Sequence, residues 1–265
     1  MTKRVTLDHR SGPLATLWLD RPDKRNALDT DLMKELGEAL DVIGHTGSIR
    51  AVVLRGRGPV FSSGIDHSLL TDVTSATKQS QFLQFHHQIQ DVFHRMARLS
   101  QPVIAAMHGA CIGMGLELAL AADIRLASED CALGLPEIAF GLIPDVGGTT
   151  RLVRTVGEPR ARALILTGRL IRARTAERYG LVHEVATDAA GLERLALEYA
   201  EQLATHPATA LGLAKSLSQM SGDADAASSF RLEGVIQQAL LGQLDVAARM
   251  PAALAFIRAQ LAALR

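Results

Sequence analysis

The chain is 265 residues long, 48% hydrophobic and 21% charged, which is typical of a globular protein with a large buried core. Its 28 Lys and Arg residues balance 28 Asp and Glu residues, and this zero net charge argues against bulk attraction to nucleic acid or to an anionic membrane. No stretch resembles a signal peptide or is uninterrupted and apolar enough for a membrane span, so we expect a cytoplasmic protein.

Predicted strands and helices alternate from the start of the chain. Apolar runs at 5–9 and 14–19 predict a β-hairpin that turns over residues 10–13. Asp29 is the expected N-cap of a helix whose apolar residues keep helical spacing and which ends near Gly44. A buried strand at 51–54 then leads into the glycine-containing loop RGRGPVFSSGIDHS.

The middle of the chain continues this alternation. Apolar residues between Phe82 and Leu99 predict a long amphipathic helix, which is followed by a strand at 103–107. The glycine turn GACIGMG, a helix at 116–122 and a strand at 124–127 come next. Because the links between these elements are short, we predict an α/β core with parallel strand pairing.

Beyond about residue 158 the pattern is mostly helical. After a strand at 181–185, apolar periodicity predicts helices at 191–205, 207–219, 226–246 and 251–263. This Ala- and Leu-rich region is expected to pack on the core or on other subunits. Cys111 and Cys131 lie in apolar segments without metal-ligand spacing, so we expect core thiols and no metal site.

Three acidic residues stand among glycines and apolar residues between His108 and Arg151. Apolar residues surround Glu117 on nearly every side, so its carboxyl must find a partner, change its pKa or take part in chemistry. The alternatives are structural: Glu117 could bond its own helix start or Arg125, Glu137 could be a surface residue in a helical first turn, and Asp145 could be an ordinary turn residue.

Two glycine loops are candidate anion sites. The spacing at 109–115 does not fit G-x-G-x-x-G, and GGTT at 147–150 lacks the lysine of a phosphate loop. A strand, a glycine turn and a helix N-terminus would nevertheless point free N–H groups at an oxyanion, although close packing explains the glycines equally well.

The loop FSSGIDHS precedes this turn. It could supply a second N–H, from Ile65, with Asp66 capping the short helix that follows. A serine nucleophile at Ser63 with His67 is disfavoured because G-x-S-x-G is absent.

The motifs FSSGID, HGACIGMGLELALAADIRLA, GLPEIAFGLIPDVGGTTRL and the early DRPDKRNAL resemble those of the crotonase superfamily, also called the enoyl-CoA hydratase/isomerase family. The match runs in order over roughly residues 14 to 185. This resemblance implies an α/β spiral of strand-strand-helix units in residues 1–190, and a C-terminal helical region in 191–265 that forms homotrimers or dimers of trimers. It also implies an acyl-CoA thioester substrate and no separate cofactor, since coenzyme A is part of the substrate.

The resemblance assigns roles to five residues. The N–H groups of Ile65 and Met114 would bind the thioester oxygen, although the family usually has glycine where Met114 stands. Glu117 and Glu137 match the two catalytic glutamates of hydratases, and acid and base groups near the α- and β-carbons suit the addition of water. Asp145 stands where hydratases carry glycine and dienoyl-CoA isomerases carry aspartate, but those isomerases have aspartate in place of Glu117.

Coenzyme A contacts follow by the same resemblance. The family positions expected to hold it are Lys24, Arg25, Ala27, Ser62, Ser63, Gly64, Asp66, Phe256 and Arg258. Arg258 stands only near the place of a family lysine. The segment 68–87 is expected to shape the acyl pocket. The leading activity is hydration of a trans-2-enoyl-CoA; the alternatives are a dienoyl- or enoyl-CoA isomerase that uses Glu137 and Asp145, and a non-catalytic acyl-CoA-binding protein.

Overall fold

A computed structural model describes residues 3–9, 12–70 and 76–263 of the chain. It divides into two compact units, Met1–Leu211 and Gly212–Arg265. The first unit contains both sheets and the predicted catalytic residues, and the second contains the last helices.

The elements of the N-terminal half are β1 (Val5–Asp8), β2 (Leu14–Leu19), α1 (Thr30–His45), β3 (Ala51–Gly56), α2 (Ala76–Arg98) and β4 (Val103–Met107). Strands β1 and β2 pair antiparallel, as the hairpin prediction requires, while residues 10 and 11 of its turn lie outside the described residues. Asp29 caps α1 as predicted, because its side chain accepts the Leu32 N–H at 2.9 Å.

The elements that follow are β5 (Ala110–Ile112), α3 (Met114–Leu120), β6 (Ile124–Ser128), β7 (Ala132–Gly134), α4 (Gly148–Val156), α5 (Glu158–Thr167), β8 (Ile171–Arg172), α6 (Ala173–Tyr179), β9 (Glu184–Ala186) and α7 (Ala189–Thr205). Two-to-three-residue strands β5, β7 and β8 were missing from the prediction because Ala-, Cys- and Gly-containing segments of that length carry no periodicity. The strand predicted at 181–185 begins later, at Glu184.

The strands form two sheets, and this arrangement builds the site. The larger sheet has the order β1-β2-β3-β4-β6-β9, and from β2 onward its neighbours are parallel. The smaller sheet has the order β5-β7-β8. The chain passes from β4 in the large sheet to β5 in the small one, through α3, and back to β6 in the large sheet. The predicted strand-strand-helix unit is therefore present. In the sequence, α3 follows a strand of the small sheet and precedes a strand of the large one.

Apolar burial holds these layers together. The main core joins α1, α2 and α3 with both sheets, and its fully buried side chains include Leu36, Phe61, Phe93 and Leu118. A second cluster lies where Leu192, Ala196 and Ala200 of α7 pack with residues of β3, β4 and β6. Small alanines permit that close approach of helix and strands.

The second unit begins inside α8 (Ala208–Ser221) and continues with α9 (Ala226–Gln243) and α10 (Val246–Ala263). Its exposed apolar side chains include Phe230, Val235, Leu241, Met250 and Ile257. In the described part of the chain no single helix meets the length and hydropathy expected of a membrane span; α9 and α10 meet them only as a pair bent by 107°.

Candidate active site

One cavity of about 350 Å³ collects the acidic and glycine-loop residues singled out by the sequence. Its wall includes Ile65, Met114, Glu117, Glu137 and Asp145. Apolar side chains supply most of the rest, among them Leu70, Phe82, Ile112, Phe140, Leu142 and Ile143. Such a cavity suits an apolar ligand that carries one reactive polar group.

The two glycine loops meet at one side of this cavity. A Cβ on Gly64, which has φ of +96°, would lie 2.8 Å from the Ile112 carbonyl oxygen and 3.6 Å from the Met114 nitrogen. Only glycine allows both this backbone conformation and this approach. The predicted strand–glycine turn–helix geometry is present here, since Gly113 has φ of +56° and Met114 is the first residue of α3.

The N–H groups of Ile65 and Met114 have no acceptor among the described residues. On either side of Ile65, the Leu28 N–H donates to the Gly64 carbonyl and the Asp66 N–H donates to the Leu28 carbonyl, each at 2.8 Å. This leaves the Ile65 N–H on the opposite side of its segment. Neither it nor the Met114 N–H donates to another described residue.

Glu117 is buried on α3, with 1% of its surface exposed. Its Oε1 accepts the N–H groups of Val146 at 3.1 Å and Gly148 at 2.8 Å. Burial and, next, the charge of Glu137 raise the pKa of Glu117 to about 8, against the effect of these two hydrogen bonds. The alternative partner Arg125 donates instead to the carbonyls of Leu181 and Ala122.

Glu137 opens a 3-10 helix directly after Pro136, and its carboxyl faces Gly113. Its Oε2 is buried and has no hydrogen-bond partner among the described residues. Burial raises the pKa of Glu137 to about 7, with a contribution from Asp145. The structural alternative was a surface residue in a helical first turn; Glu137 does lie in a first turn, but its side chain lines the cavity.

Asp145 follows Pro144 and is held by helix α2. Its Oδ2 lies 3.1 Å from His86 Nε2, and its carbonyl oxygen accepts a hydrogen bond from Gln90 Nε2 at 3.0 Å. Burial raises the pKa of Asp145, and the nearby His86 opposes that rise. Sequence reasoning placed His86 only within the predicted acyl-pocket segment 68–87 and gave no role to Gln90. The one signal for both is their position on the polar side of an amphipathic helix.

Arg151 was also missed. It lies on α4 and donates from Nη1 to the Val146 carbonyl at 3.2 Å, behind the turn that holds Glu117. Its own pKa is lowered by burial and raised by Glu117. Arg151 is thus a half-buried cation near the glutamate without a direct ion pair between the two.

This arrangement can perform acid–base chemistry. Carboxyl groups that share an apolar cavity repel one another when ionised, so they retain a proton near neutral pH and titrate as a group. A ligand oxygen in the cavity could also accept hydrogen bonds from the Ile65 and Met114 N–H groups. Among the described residues no group of three or more His, Cys, Asp or Glu side chains has metal-site geometry.

Only some of the residues predicted to hold coenzyme A line the cavity. Ser63 and Gly64 line the cavity, and the Ser63 N–H donates to the Arg25 carbonyl at 3.0 Å, so the Lys24–Ala27 loop lies beside it. The Ser62 hydroxyl is buried and donates to the Asn26 carbonyl.

Asp66, Phe256 and Arg258 are the remaining members of that set. Asp66 caps the short helix that follows it, as predicted, by accepting the Ser68 N–H, and it pairs with Arg21 at 2.6 Å. Burial raises the pKa of Asp66, but the bonds to Ser68 and Arg21 outweigh burial and lower it to about 2. Phe256 and Arg258 lie on α10 in the second unit.

Part of the predicted acyl-pocket segment also reaches the cavity. Leu70 and Phe82 line it, whereas residues 71–75 lie outside the described residues. His67 stacks at a tilt on Phe140, with ring centroids 5.9 Å apart, and has no hydrogen bond to Ser63 among the described residues. The serine-nucleophile alternative therefore has no geometric support.

Known proteins with similar sequences and structures agree on one family. The family model described as enoyl-CoA hydratase/isomerase matches residues 9–248. A relative named probable enoyl-CoA hydratase, from Rhizobium meliloti (strain 1021), is 35% identical over 249 residues, which are 92% of this chain and 93% of the relative.

Two solved structures extend this similarity to the fold. The crystal structure of an enoyl-CoA hydratase from Bacillus anthracis matches with a TM-score of 0.87 at 33% identity and covers 97% of this chain and 96% of that one. A structure from Thermobifida fusca YX, in complex with CoA, matches with a TM-score of 0.81 at 36% identity and covers 91% of this chain and 93% of that one.

Proposed function

The chain belongs to the enoyl-CoA hydratase/isomerase family, the crotonase superfamily that its motifs predicted, and we propose that it is an enoyl-CoA hydratase. The predicted crotonase-like α/β fold is confirmed by the structural neighbours. The proposed reaction adds water to a trans-2-enoyl-CoA and gives a 3-hydroxyacyl-CoA.

The observation that carries this proposal is the pair of glutamates in one apolar cavity. Glu117 and Glu137 both have pKa values raised toward neutrality, to about 8 and about 7. Hydration needs one group that accepts a proton and one that donates a proton at the same pH. A coupled pair that shares a single proton supplies both.

In the proposed mechanism the thioester oxygen accepts hydrogen bonds from the Ile65 and Met114 N–H groups. These donors stabilise the enolate-like charge that develops as water attacks the β-carbon, and losing one such donor typically costs about 10²-fold or more in rate. Because both donors belong to the backbone, a methionine at position 114 does not remove one.

The glutamates move the protons. The pair takes one proton from water as the oxygen bonds to the β-carbon, and Glu137 delivers one proton to the α-carbon, so the proton count of the pair is unchanged after exchange between the two carboxyls. Glu117 is held for its part by the Val146 and Gly148 N–H groups. Glu137 lines the cavity, where its carboxyl would meet the α-carbon of a bound substrate, and its Oε2 has no hydrogen-bond partner among the described residues.

We propose that coenzyme A binds as part of the substrate and that no separate cofactor is needed. Support comes from the Thermobifida fusca neighbour, whose structure contains CoA. The loop of Lys24 and Arg25 beside Ser63 is the proposed phosphate and pantetheine contact. Exposed apolar side chains on α9 and α10 suit assembly into a trimer or a dimer of trimers. Phe256 and Arg258 are proposed CoA contacts on the family resemblance alone.

The test is the loss of enoyl-thioester absorbance on hydration. Glu117→Gln and Glu137→Gln should each lower the hydration rate by about 10²-fold or more, because each amide keeps the shape but cannot transfer the proton. Glu201→Gln, at an exposed position on α7, is the matched control and should keep wild-type activity. Full activity in either catalytic variant contradicts the assignment. Tight acyl-CoA binding without turnover across a panel of short, long, branched and dienoyl thioesters would instead support the non-catalytic alternative.

Asp145 supports a second candidate function, isomerisation of a dienoyl- or enoyl-CoA, because its carboxyl lines the same cavity. If Asp145 and Glu137 shuttle the proton, a 3,5-dienoyl-CoA should be isomerised and Asp145→Asn should stop that reaction. Unchanged isomerisation in the variant would make Asp145 a turn residue.

A further inference from the structure

One turn of helix α2 contacts Asp145 at both its side chain and its backbone. His86 Nε2 lies 3.1 Å from Asp145 Oδ2 and 3.2 Å from the Asp145 carbonyl oxygen. Gln90, four residues later, donates to the same carbonyl at 3.0 Å. Residues four apart on a helix share one face, so the two side chains act together on this single residue of the cavity wall.

The hydrogen-bond partners define which nitrogen of His86 carries the proton. Two of the atoms near Nε2 are oxygen acceptors, at 3.1 and 3.2 Å, and the third, the Gln90 amide nitrogen, lies farther away at 3.5 Å. The two shorter contacts favour Nε2 as the donor. Nδ1 is buried and has no hydrogen-bond partner among the described residues. A proton on Nε2 therefore serves the Asp145 carboxylate, whereas a proton on Nδ1 would be a buried donor without an acceptor among the described residues.

This contact weakens Asp145 as a base. Burial raises the pKa of Asp145, while His86 opposes that rise by favouring the ionised carboxylate. A carboxylate that already accepts a hydrogen bond has a lower affinity for a substrate proton. The same contact fixes the direction of the side chain, because one oxygen and the main chain are held by the same helical turn.

We propose that His86 is a positioning residue that holds Asp145 against α2 and thereby favours hydration by Glu117 and Glu137 over double-bond migration. The inference rests on the proposed hydratase function. It assigns to His86, with Gln90, the choice between two reactions of one site, although neither side chain lines the cavity.

The suppressed reaction is a proton shuttle. A base removes a proton from the α-carbon of a 3,5-dienoyl-CoA, the electron pair moves through the enolate, and a proton returns at the distal end of the diene. The product is the 2,4-dienoyl-CoA, with no atoms gained or lost. Freed from His86, Asp145 could accept or return that proton opposite Glu137.

The experiment compares both reactions in the purified full-length protein. Hydration of a trans-2-enoyl-CoA and isomerisation of a 3,5-dienoyl-CoA are each measured as kcat and KM. The variants are His86→Ala and His86→Phe, the second of which keeps a ring but has no N–H, and the double variant His86→Ala with Asp145→Asn. His45→Asn, at an exposed position at the end of α1, is the matched control.

We expect the ratio of isomerisation kcat to hydration kcat to rise about tenfold in the His86 variants, the effect of losing one hydrogen bond to a charged group. The double variant should return the ratio to the wild-type value, which a general loss of packing would not do. An unchanged or lower ratio in whichever His86 variants fold, or a rise that persists in the double variant, overturns the inference.

The two proposals fail differently. A wild-type protein that hydrates the enoyl thioester and loses this activity in Glu117→Gln, but shows no change of ratio in the His86 variants, retains the proposed function and overturns the inference. A wild-type protein that isomerises without hydrating overturns both.

Discussion

Glu117→Gln should make the protein more stable as well as inactive, and the gain should grow with pH. In the folded chain the pKa of Glu117 is raised from 4.5 to about 8, mainly by burial. Between these pH values the folded protein binds more protons at this site than the unfolded chain. Stability is therefore lost as the pH rises through this window, and the loss is complete above about 8.

The magnitude follows from the size of this shift. A pKa raised from 4.5 to about 8 corresponds to about 5 kcal/mol as an upper bound for the cost of the buried charge above pH 8. Glutamine carries no charge, and its side-chain oxygen can accept the same N–H groups of Val146 and Gly148. The variant should match the wild type near pH 5 and exceed its free energy of unfolding by about 3 kcal/mol or more at pH 9.

Urea unfolding at pH 5, 7 and 9, at one fixed protein concentration, measures this difference. Glu201→Gln on the exposed face of α7 controls for the loss of a carboxylate as such and should show no comparable pH trend. The reasoning is refuted if the stability difference between Glu117→Gln and wild type is the same at pH 5 and pH 9, or if the variant is the less stable protein at pH 9.

Three further substitutions test single contacts. Gly148→Ala would place a Cβ 2.5 Å from Glu117 Oε1, so hydration kcat should fall by about 10²-fold; wild-type kcat would contradict the contact. Met114→Ala keeps the backbone N–H, so hydration should stay within about tenfold of wild type while thermal unfolding shows a loss of about 2 kcal/mol or more from the emptied core. Asp66→Asn removes a carboxylate whose pKa Ser68 and Arg21 lower to about 2. A lowered pKa stabilises the folded wild type, and that stability is lost as the pH falls from about 4 to about 2. Asp66→Asn should not show this loss, which we expect to be below about 1 kcal/mol. Identical acid-unfolding curves for the variant and the wild type would argue against the contact.

Local pattern was enough for the class of fold and for residues that the structure brings together in one cavity. The Asp29 cap, strand β4 at Val103–Met107 and the long helix α2 follow from spacing and capping that neighbouring residues define. The motifs around Ile65 and Met114 pointed to a single family. The structure then brings the two glycine loops to one cavity. The short strands β5, β7 and β8 did not follow, because their pairing joins segments far apart in sequence and leaves no local period.

The sequence by itself determined that the Glu117 carboxyl must find a partner, change its pKa or take part in chemistry, because apolar residues on α3 surround it and an unpaired charge is costly there. Only the tertiary structure decided which partner. The N–H groups of Val146 and Gly148, rather than Arg125, hold the carboxyl, across about thirty residues of chain. It likewise brought His86 to Asp145. Periodicity records which face of an element is buried, whereas contacts between polar groups on different elements depend on how the two sheets stack those elements around the cavity.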